Sequence, residues 1–143
     1  MDTKDPAGRG EPVEPAIVRL TVPAAPGFVQ VARLAGSALA SRAGFSIDEV
    51  DDLRIAIDEL AAVLVQATGG VGDLELIFEL DDDGVRVQGR VESPAQPSVP
   101  ELTEKILDVV VDSYDLAAQD GKVSFRCEKR RTDEGDLEGE PDR

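Results

Sequence analysis

The sequence predicts an α+β fold: a two-layer sandwich in which three helices cover one face of a mainly antiparallel, five-stranded sheet. Three observations predict it. Extended and helical patterns follow one another in the order β-α-α-β-β-α-β-β. Apolar and polar residues alternate along the extended segments, which is typical of a sheet with one covered face. Short turns join the extended segments in two places, as in antiparallel hairpins.

Two prolines separate the first predicted strand from the first predicted helix. Residues 17–22 form a mostly apolar extended run that Pro23 and Pro26 end. From Gly27 onward the apolar residues recur at helical spacing, and we expect this helix to stop at Gly44. Its predicted apolar face consists of Phe28, Val31, Leu34, Ala35, Ala38 and Leu39.

The second predicted helix has a start signal, a stop signal and one apolar stripe. Ser46 and Glu49 have the spacing of a capping box, in which each side chain accepts a hydrogen bond from the other residue's backbone amide. We expect the helix to end near Thr68, because two consecutive glycines follow it. Its apolar stripe consists of Val50, Leu53, Ile57, Leu60 and Leu64.

Two hairpins and a third helix complete the predicted domain. Residues 74–80 and 85–91 alternate apolar and polar side chains on either side of a tight turn. A proline-rich connection, residues 92–100, leads to a helix whose predicted buried face is Leu102, Ile106, Val109 and Val110. Asp120 and Gly121 lie between two further extended runs, and Asp-Gly in that position is a strong signal for a two-residue hairpin.

The distribution of charge divides the chain into one domain and two tails. The 143 residues carry a formal net charge of -15. Residues 1–15 and 132–143 are charged and lack apolar periodicity. We therefore expect a single domain over residues 16–131, preceded by a disordered N-terminal tail and followed by an acidic disordered tail.

The composition excludes several classes of function. The absence of histidine removes Ser-His and Cys-His nucleophile pairs and most zinc sites, and we predict no metal ligands. The strong negative charge argues against nucleic acid and anionic membranes and favours a basic protein partner. No apolar run approaches the roughly 20 residues that span a bilayer, and no secretory signal opens the sequence. The single cysteine, Cys127, cannot form an internal disulfide, which agrees with a reducing compartment, and we expect a cytoplasmic protein. Cys127 alternates with Phe125 and Val123 and is predicted to face the core.

The second predicted helix carries a family resemblance. Residues 51–60, Asp-Asp-Leu-Arg-Ile-Ala-Ile-Asp-Glu-Leu, resemble the nucleotide-site helix of the anti-sigma-factor serine kinases, which share a fold with gyrase, the Hsp90 chaperones and histidine kinases. The resemblance covers most of residues 16–131, including the closing pattern at residues 106–112. It implies a histidine-kinase-like ATPase fold, a homodimer, and a role in bacterial transcription control and stress response. The family's chemistry is phosphoryl transfer from ATP to a serine of an anti-anti-sigma protein.

Two positions of the family's nucleotide helix can be followed in this chain. The resemblance places the family's glutamate, which polarises the attacking hydroxyl or water, at Glu59, and this residue is the candidate catalytic and cofactor-binding carboxylate. The magnesium-binding asparagine, four residues later on the same helix face, corresponds to Val63, which has no oxygen for a metal. Gln66 lies nearly two turns after Glu59, and its reach would place an ion differently.

The family's adenine-binding motif also differs here. The family follows its central hairpin with Asp-x-Gly-x-Gly, where the aspartate contacts the adenine amino group. This chain has Glu92 at that position, followed by Ser-Pro-Ala-Gln-Pro, with no glycine in the connection. Glu92 is the second candidate cofactor-binding residue. Proline supplies no amide donor and fixes its own backbone angle, so the resemblance implies no glycine-rich phosphate lid in this chain.

Two functional hypotheses follow from the sequence. The favoured one is a degenerate anti-sigma-type regulator that binds a sigma factor or an anti-anti-sigma partner, with no resident cofactor. The candidate partner-binding residues are Arg33 and Arg42, within residues 26–44, and Arg54, which otherwise has the spacing of a surface ion pair with Asp58. The alternative is an active ATP-dependent serine kinase that uses Glu59, Glu92 and magnesium.

Overall fold

The eight predicted elements are present in the predicted order. The computed structural model describes residues 12–132, so the tail residues 1–11 and 133–143 lie outside the described residues. Within the segment assigned to the N-terminal tail, the backbone amide of Val13 donates a hydrogen bond to Asp82 Oδ1 over 2.8 Å. The elements are β1 (Ala16–Pro23), α1 (Pro26–Arg42), α2 (Ile47–Thr68), β2 (Asp73–Asp81), β3 (Gly84–Glu92), α3 (Glu101–Val110), β4 (Ser113–Gln119) and β5 (Lys122–Arg130).

The five strands form one antiparallel sheet with the order β1-β2-β3-β5-β4, so β1 and β4 are its edges. The helices cover one face. Helix α1 lies over β1, β2 and β3, α2 lies over β3 and β5, and α3 packs against α2. This arrangement confirms the predicted two-layer α+β sandwich. Between residues 12 and 132, no helix is both long enough and apolar enough to cross a membrane.

The inner face of the sheet supplies one side of the core, as the alternation predicts. Buried side chains follow every second position of β2, β3 and β5, and Cys127 is among them, as expected. The outer face is polar, and Arg86 there contacts Asp81 over 2.8 Å and Glu79 over 3.3 Å. The buried apolar residues of β2, β3 and β5 are Leu74, Leu76, Phe78, Leu80, Val85, Val87, Val91, Val123, Phe125 and Cys127.

The ends of α2 confirm the predicted caps. The Ser46 amide donates to Glu49 Oε1 over 2.8 Å, and the Glu49 amide donates to Ser46 Oγ over 3.1 Å. At the other end, Gly69 adopts the left-handed conformation with φ of 69°, which stops the helix after Thr68. Both signals are local in sequence, so α2 begins and ends where the sequence predicts.

The apolar face predicted for α1 is wrong in its main part. Phe28, Val31 and Leu34 are exposed, whereas a stripe of small residues faces the core. The small residues let α1 approach α2 closely: a methyl group added at Gly36 would overlap the Ile57 side chain and touch Phe78. The residues of α1 that are buried are Val29, Ala32, Gly36 and Ala40.

The buried face predicted for α3 is also wrong in part. Leu102 and Val109 are exposed, and Ile106 is half-buried. The helix instead turns Thr103, Leu107 and Val110 inward. Within residues 12–132, α3 packs mainly against α2, so this ten-residue helix with two apolar stripes buries one of them.

Candidate functional site

Glu59, the candidate catalytic carboxylate, lies on the side of α2 that faces α3. Its Oε1 accepts a hydrogen bond from Thr103 Oγ1 at 2.8 Å. Thr103 is only 7% exposed, and Glu59 is half-buried. A hydroxyl of the chain itself therefore engages the carboxylate that the family resemblance marks as the base. The sequence analysis missed Thr103, because its partner lies 44 residues away.

Position 63 lies one helical turn after Glu59 and belongs to the core. The Val63 side chain is 5% exposed and packs within the main apolar cluster. Magnesium binds oxygen ligands, so this position offers nothing to a magnesium ion. Gln66 lines the cavity between α1 and α2. In the described part of the chain, no three His, Cys, Asp or Glu side chains converge as a metal site would require.

Glu92, the candidate adenine contact, lies in surroundings different from those of Glu59. It is exposed at the end of β3, in register with Lys122 of β5. It borders an open cavity of about 410 Å³, and Glu59 is not among the residues that line this cavity. The other lining residues are Ala67, Thr68, Val71, Gly72, Ser93, Pro94 and Ala95.

The connection after Glu92 is tied to the rest of the fold by Ser93. The Ser93 hydroxyl donates to the Ala67 carbonyl over 2.8 Å and accepts from the Ala95 amide over 3.1 Å. The Ser93 amide donates to the Gly121 carbonyl over 2.9 Å. Ser93 is 7% exposed. Its hydrogen bonds therefore hold the start of the proline-rich connection against the last turn of α2 and against the final hairpin.

The N-terminus of α3 is acidic. Glu101 and Glu104 lie in its first turn, and the Pro100 N-cap makes no side-chain capping bond. Lys105 approaches Glu101 only to 3.8 Å, with both side chains mostly exposed. The positive end of a helix dipole favours such carboxylates. A phosphate group placed at this helix end would meet two negative charges before it met the backbone amides.

The three candidate arginines have different settings. Arg33 contacts Asp58 over 3.1 Å, beside a groove of about 660 Å³ between α1 and α2. Arg54 contacts Asp51 over 3.1 Å, so the predicted pairing of Arg54 with Asp58 is wrong. The Asp58 carboxylate is instead engaged by Arg33, which reaches it from α1. Arg42 is exposed and lines a separate cavity of about 830 Å³ at the far end of α1.

Helix α1 carries exposed apolar side chains on this acidic chain. We define the α1 surface as Phe28, Val31, Leu34 and Arg42, whose three apolar side chains are 44%, 41% and 58% exposed. The surrounding sequence, residues 16–47, contains three arginines and no Asp or Glu. In a chain of 30 acidic residues, this segment therefore carries a charge of +3 along the sequence, and Asp58 of α2 pairs with one of its arginines, Arg33.

Comparison with known proteins gives relatives that match a large part of the chain. No family model matches it. Serine-protein kinase RsbW of Listeria monocytogenes serotype 4a is 30% identical over 121 residues, which are 85% of this chain and 60% of that protein. Serine-protein kinase RsbW of Halalkalibacterium halodurans is 35% identical over 75 residues, 52% of this chain and 46% of that protein. The chain thus matches 60% or less of the length of these relatives.

A solved structure has the same fold. The crystal structure of the RsbU and RsbW domains of Rv1364c from Mycobacterium tuberculosis matches with a TM-score of 0.63. The match covers 86% of this chain and 34% of that chain at 18% sequence identity. At this identity the likeness concerns the fold alone, and it confirms the α+β architecture that the sequence predicts.

Proposed function

The chain belongs to the anti-sigma-factor serine kinase family, and from that premise we propose that it regulates transcription by binding a protein partner without transferring a phosphoryl group. The partner is a sigma factor or an anti-anti-sigma protein. Val63 carries the proposal, because a buried valine replaces the family's magnesium-binding asparagine. Phosphoryl transfer relies on a metal that bridges and neutralises the phosphates.

Three further observations support a degenerate nucleotide site. The Glu59 carboxylate already accepts a hydrogen bond from Thr103. Glu92 lines a cavity that does not include Glu59. Glu101 and Glu104 place negative charge at the helix end nearest the connection. Together these residues fit a magnesium nucleotide poorly, since the metal, the adenine and the phosphates would each lack a contact.

The α1 surface is our candidate for the partner-binding region. Its exposed Phe28, Val31 and Leu34 are of the kind that anchor protein interfaces, and Arg42 gives it a charged edge. Because residues 16–47 carry no acidic side chain, an acidic partner segment docked here meets less repulsion than it would elsewhere on a chain with a net charge of -15.

A homodimer through the edge strand β1, beside the α1 surface, is part of the proposal. Strand β1 is an edge of the sheet, and its Ile17 side chain is 58% exposed. Two copies of a chain with charge -15 repel each other least where their acid-free regions face each other. Residues 16–47 form such a region.

An active serine kinase is the second candidate function. Glu59 occupies the position of the family's base, and the two relatives described above are named as serine-protein kinases. In that case Glu59 would be the base, Glu92 would contact adenine, and the chain would use ATP with magnesium on an anti-anti-sigma partner. The contacts described above make this the weaker candidate.

Binding of purified partners tests the proposal. We would titrate the full chain with the sigma factors and anti-anti-sigma proteins of its own genome and compare the variant Val31→Ser/Leu34→Ser with the control Val109→Ser. Val109 is a matched exposed apolar residue on another helix. We expect one partner to bind and the α1 variant to bind it about tenfold more weakly or worse, while the control binds normally. Equal binding by the α1 variant, or no binding partner among these proteins, would contradict the proposal.

A further inference from the structure

The groove between α1 and α2 is a cavity that neither candidate function uses. Its volume is about 660 Å³, and neither Glu59 nor any residue of the α1 surface lines it. Two buried valines form its floor: Val29 of α1 is 8% exposed and Val65 of α2 is 5% exposed. We call this cavity the α1–α2 groove. A cavity of this size, with an apolar floor and a few polar groups, is typical of small-molecule sites.

The wall of the α1–α2 groove carries an ion pair. Arg33 Nη1 of α1 contacts Asp58 Oδ2 of α2 over 3.1 Å, and the two side chains are 31% and 43% exposed. Among the described residues that line the groove, Arg33 and Asp58 are the only charged ones. The groove therefore presents a cation and an anion side by side, and its lining has no net charge.

The ion pair leaves hydrogen-bonding capacity on both side chains. A guanidinium carries several N–H donors in a planar fork, and each carboxylate oxygen can accept more than one hydrogen bond. Within residues 12–132, a single hydrogen bond joins the two groups, from Arg33 Nη1 to Asp58 Oδ2. This pair is therefore not the bidentate arrangement that engages the guanidinium fork more fully. A ligand that carries both an acceptor and a donor can bind beside it.

We propose that the α1–α2 groove binds a free apolar α-amino acid in its zwitterionic form. Arg33 would donate hydrogen bonds to the ligand's carboxylate, and Asp58 would accept them from its ammonium group. The apolar side chain would lie on the floor formed by Val29 and Val65. Both charged groups of an α-amino acid are attached to one carbon, so their spacing suits protein atoms that lie 3.1 Å apart. The inference does not rest on the proposed function, because it uses no residue of the α1 surface.

Charge and entropy favour this ligand over other occupants. An anion would face Asp58 and a cation would face Arg33, so either would meet a like charge in the groove. A segment of a partner protein, or of a second copy, would bring its charges on separate long side chains, and ordering these costs conformational entropy. A free amino acid brings both charges on one short, rigid unit. It also leaves neither member of the ion pair without a partner.

An NMR titration of the isotope-labelled full chain with L-phenylalanine tests the inference. Gly27, Gly69 and Gly70 line the α1–α2 groove, so their backbone amides report its occupancy. A methyl group added at any of the three would meet no atom within 4 Å, so this part of the groove is open to a ligand. We expect L-phenylalanine to shift these amide signals with a dissociation constant of about 1 mM or tighter.

Three analogues each remove one feature that the inference requires. N-acetylphenylalanine lacks the ammonium group, phenylalaninamide lacks the carboxylate, and glycine lacks the apolar side chain. We expect each analogue to bind about tenfold more weakly than L-phenylalanine, or worse. Because the analogues are measured on the wild-type chain, this comparison does not depend on the folding of any variant.

Two variants locate the site, and a third serves as the matched control. Arg33→Gln and Asp58→Asn should each weaken binding of L-phenylalanine about tenfold or more. The control is Asp51→Asn/Arg54→Gln, which removes an exposed ion pair of α2 outside the groove. This control should bind L-phenylalanine as the wild type does. Urea unfolding checks that each variant folds.

Four results would overturn the inference. The first is no shift of the three glycine amides at L-phenylalanine concentrations up to about 10 mM, including the case in which only a partner protein shifts them. The others are equal binding of N-acetylphenylalanine or phenylalaninamide, equal binding by Arg33→Gln or Asp58→Asn, and amide shifts that follow the protein concentration, which would assign the groove to a second copy. Partner binding is measured with α1-surface variants that leave the groove intact, so either proposal can fail while the other stands.

Discussion

The hydrogen bond between Thr103 and Glu59 gives the sharpest test of the candidate site. Thr103 Oγ1 donates to Glu59 Oε1 over 2.8 Å, and this bond links α3 to α2. The perturbation is Thr103→Val, which keeps the branched shape of the side chain and removes only the donor. If Glu59 is a structural acceptor, the substitution should cost stability.

The size of the loss follows from the burial of the two groups. Hydrogen bonds to a charged group contribute about 1.5–3 kcal/mol to stability. Thr103 is 7% exposed, so the donor side of the bond is protected from water. Glu59 is half-buried, so water can replace part of the lost hydrogen bond. We therefore expect Thr103→Val to lower the free energy of unfolding by about 1–1.5 kcal/mol, at or just below the lower limit of that range.

The assay is a double-mutant cycle measured by urea unfolding. Wild type, Thr103→Val, Glu59→Ala and the double variant give the coupling energy between the two side chains, for which we expect about 1 kcal/mol. Thr21→Val, at an exposed position of β1, is the matched control and should change stability by about 0.5 kcal/mol or less. A coupling energy within about 0.3 kcal/mol of zero would refute the reasoning.

Three further predictions concern the helix contact, the thiol and the outer sheet face. Gly36→Ala should lower the free energy of unfolding by about 1–2 kcal/mol, because the added methyl group would overlap a buried isoleucine of α2. Gly27→Ala adds its methyl group in open space and should raise the free energy of unfolding by about 0.5 kcal/mol. Urea unfolding measures both changes. Burial raises the pKa of the Cys127 thiol to about 12, so a thiol reagent should modify the native chain only as fast as it unfolds; rapid native modification would be the contrary result. The hydrogen-bonded guanidinium of Arg86 lowers the pKa of Asp81 from its ordinary 3.8. The stability that this pair contributes is therefore fully present above pH 3.8 and is lost as the pH falls through the lowered pKa of the folded state. In unfolding measurements at decreasing pH, the Arg86→Gln variant should lose less stability over this acid range than the wild type, and an equal loss would contradict the prediction.

Much of the fold could be predicted because its signals are local. The capping box at Ser46 and the two hairpin turns depend on residues that are close in sequence, and so does the alternation along the strands. Which stripe of α1 is buried is not a local property. The larger apolar residues lie outside, and Gly36 lies inside, because α1 approaches α2 through its small residues.

The candidate site could be predicted less fully, because its contacts join distant segments. The sequence placed Glu59 and Val63 on one side of α2. It did not give the partner of Glu59, since Thr103 comes from a helix 44 residues later. In the same way, Arg33 reaches Asp58 across 25 residues and displaces the pairing expected from helical spacing. The positions of charged side chains within one helix were predictable, but their partners depended on how the helices pack.

A calorimetric titration of the full chain with ATP, with and without magnesium, tests the central claim most directly. A serine kinase of the same family that carries the asparagine is the positive control. We expect no magnesium-dependent heat of binding at ATP concentrations up to about 1 mM, because position 63 supplies no ligand oxygen. Magnesium-dependent binding in the micromolar range, together with phosphoryl transfer to an anti-anti-sigma protein that Glu59→Gln abolishes, would contradict the account and establish the kinase.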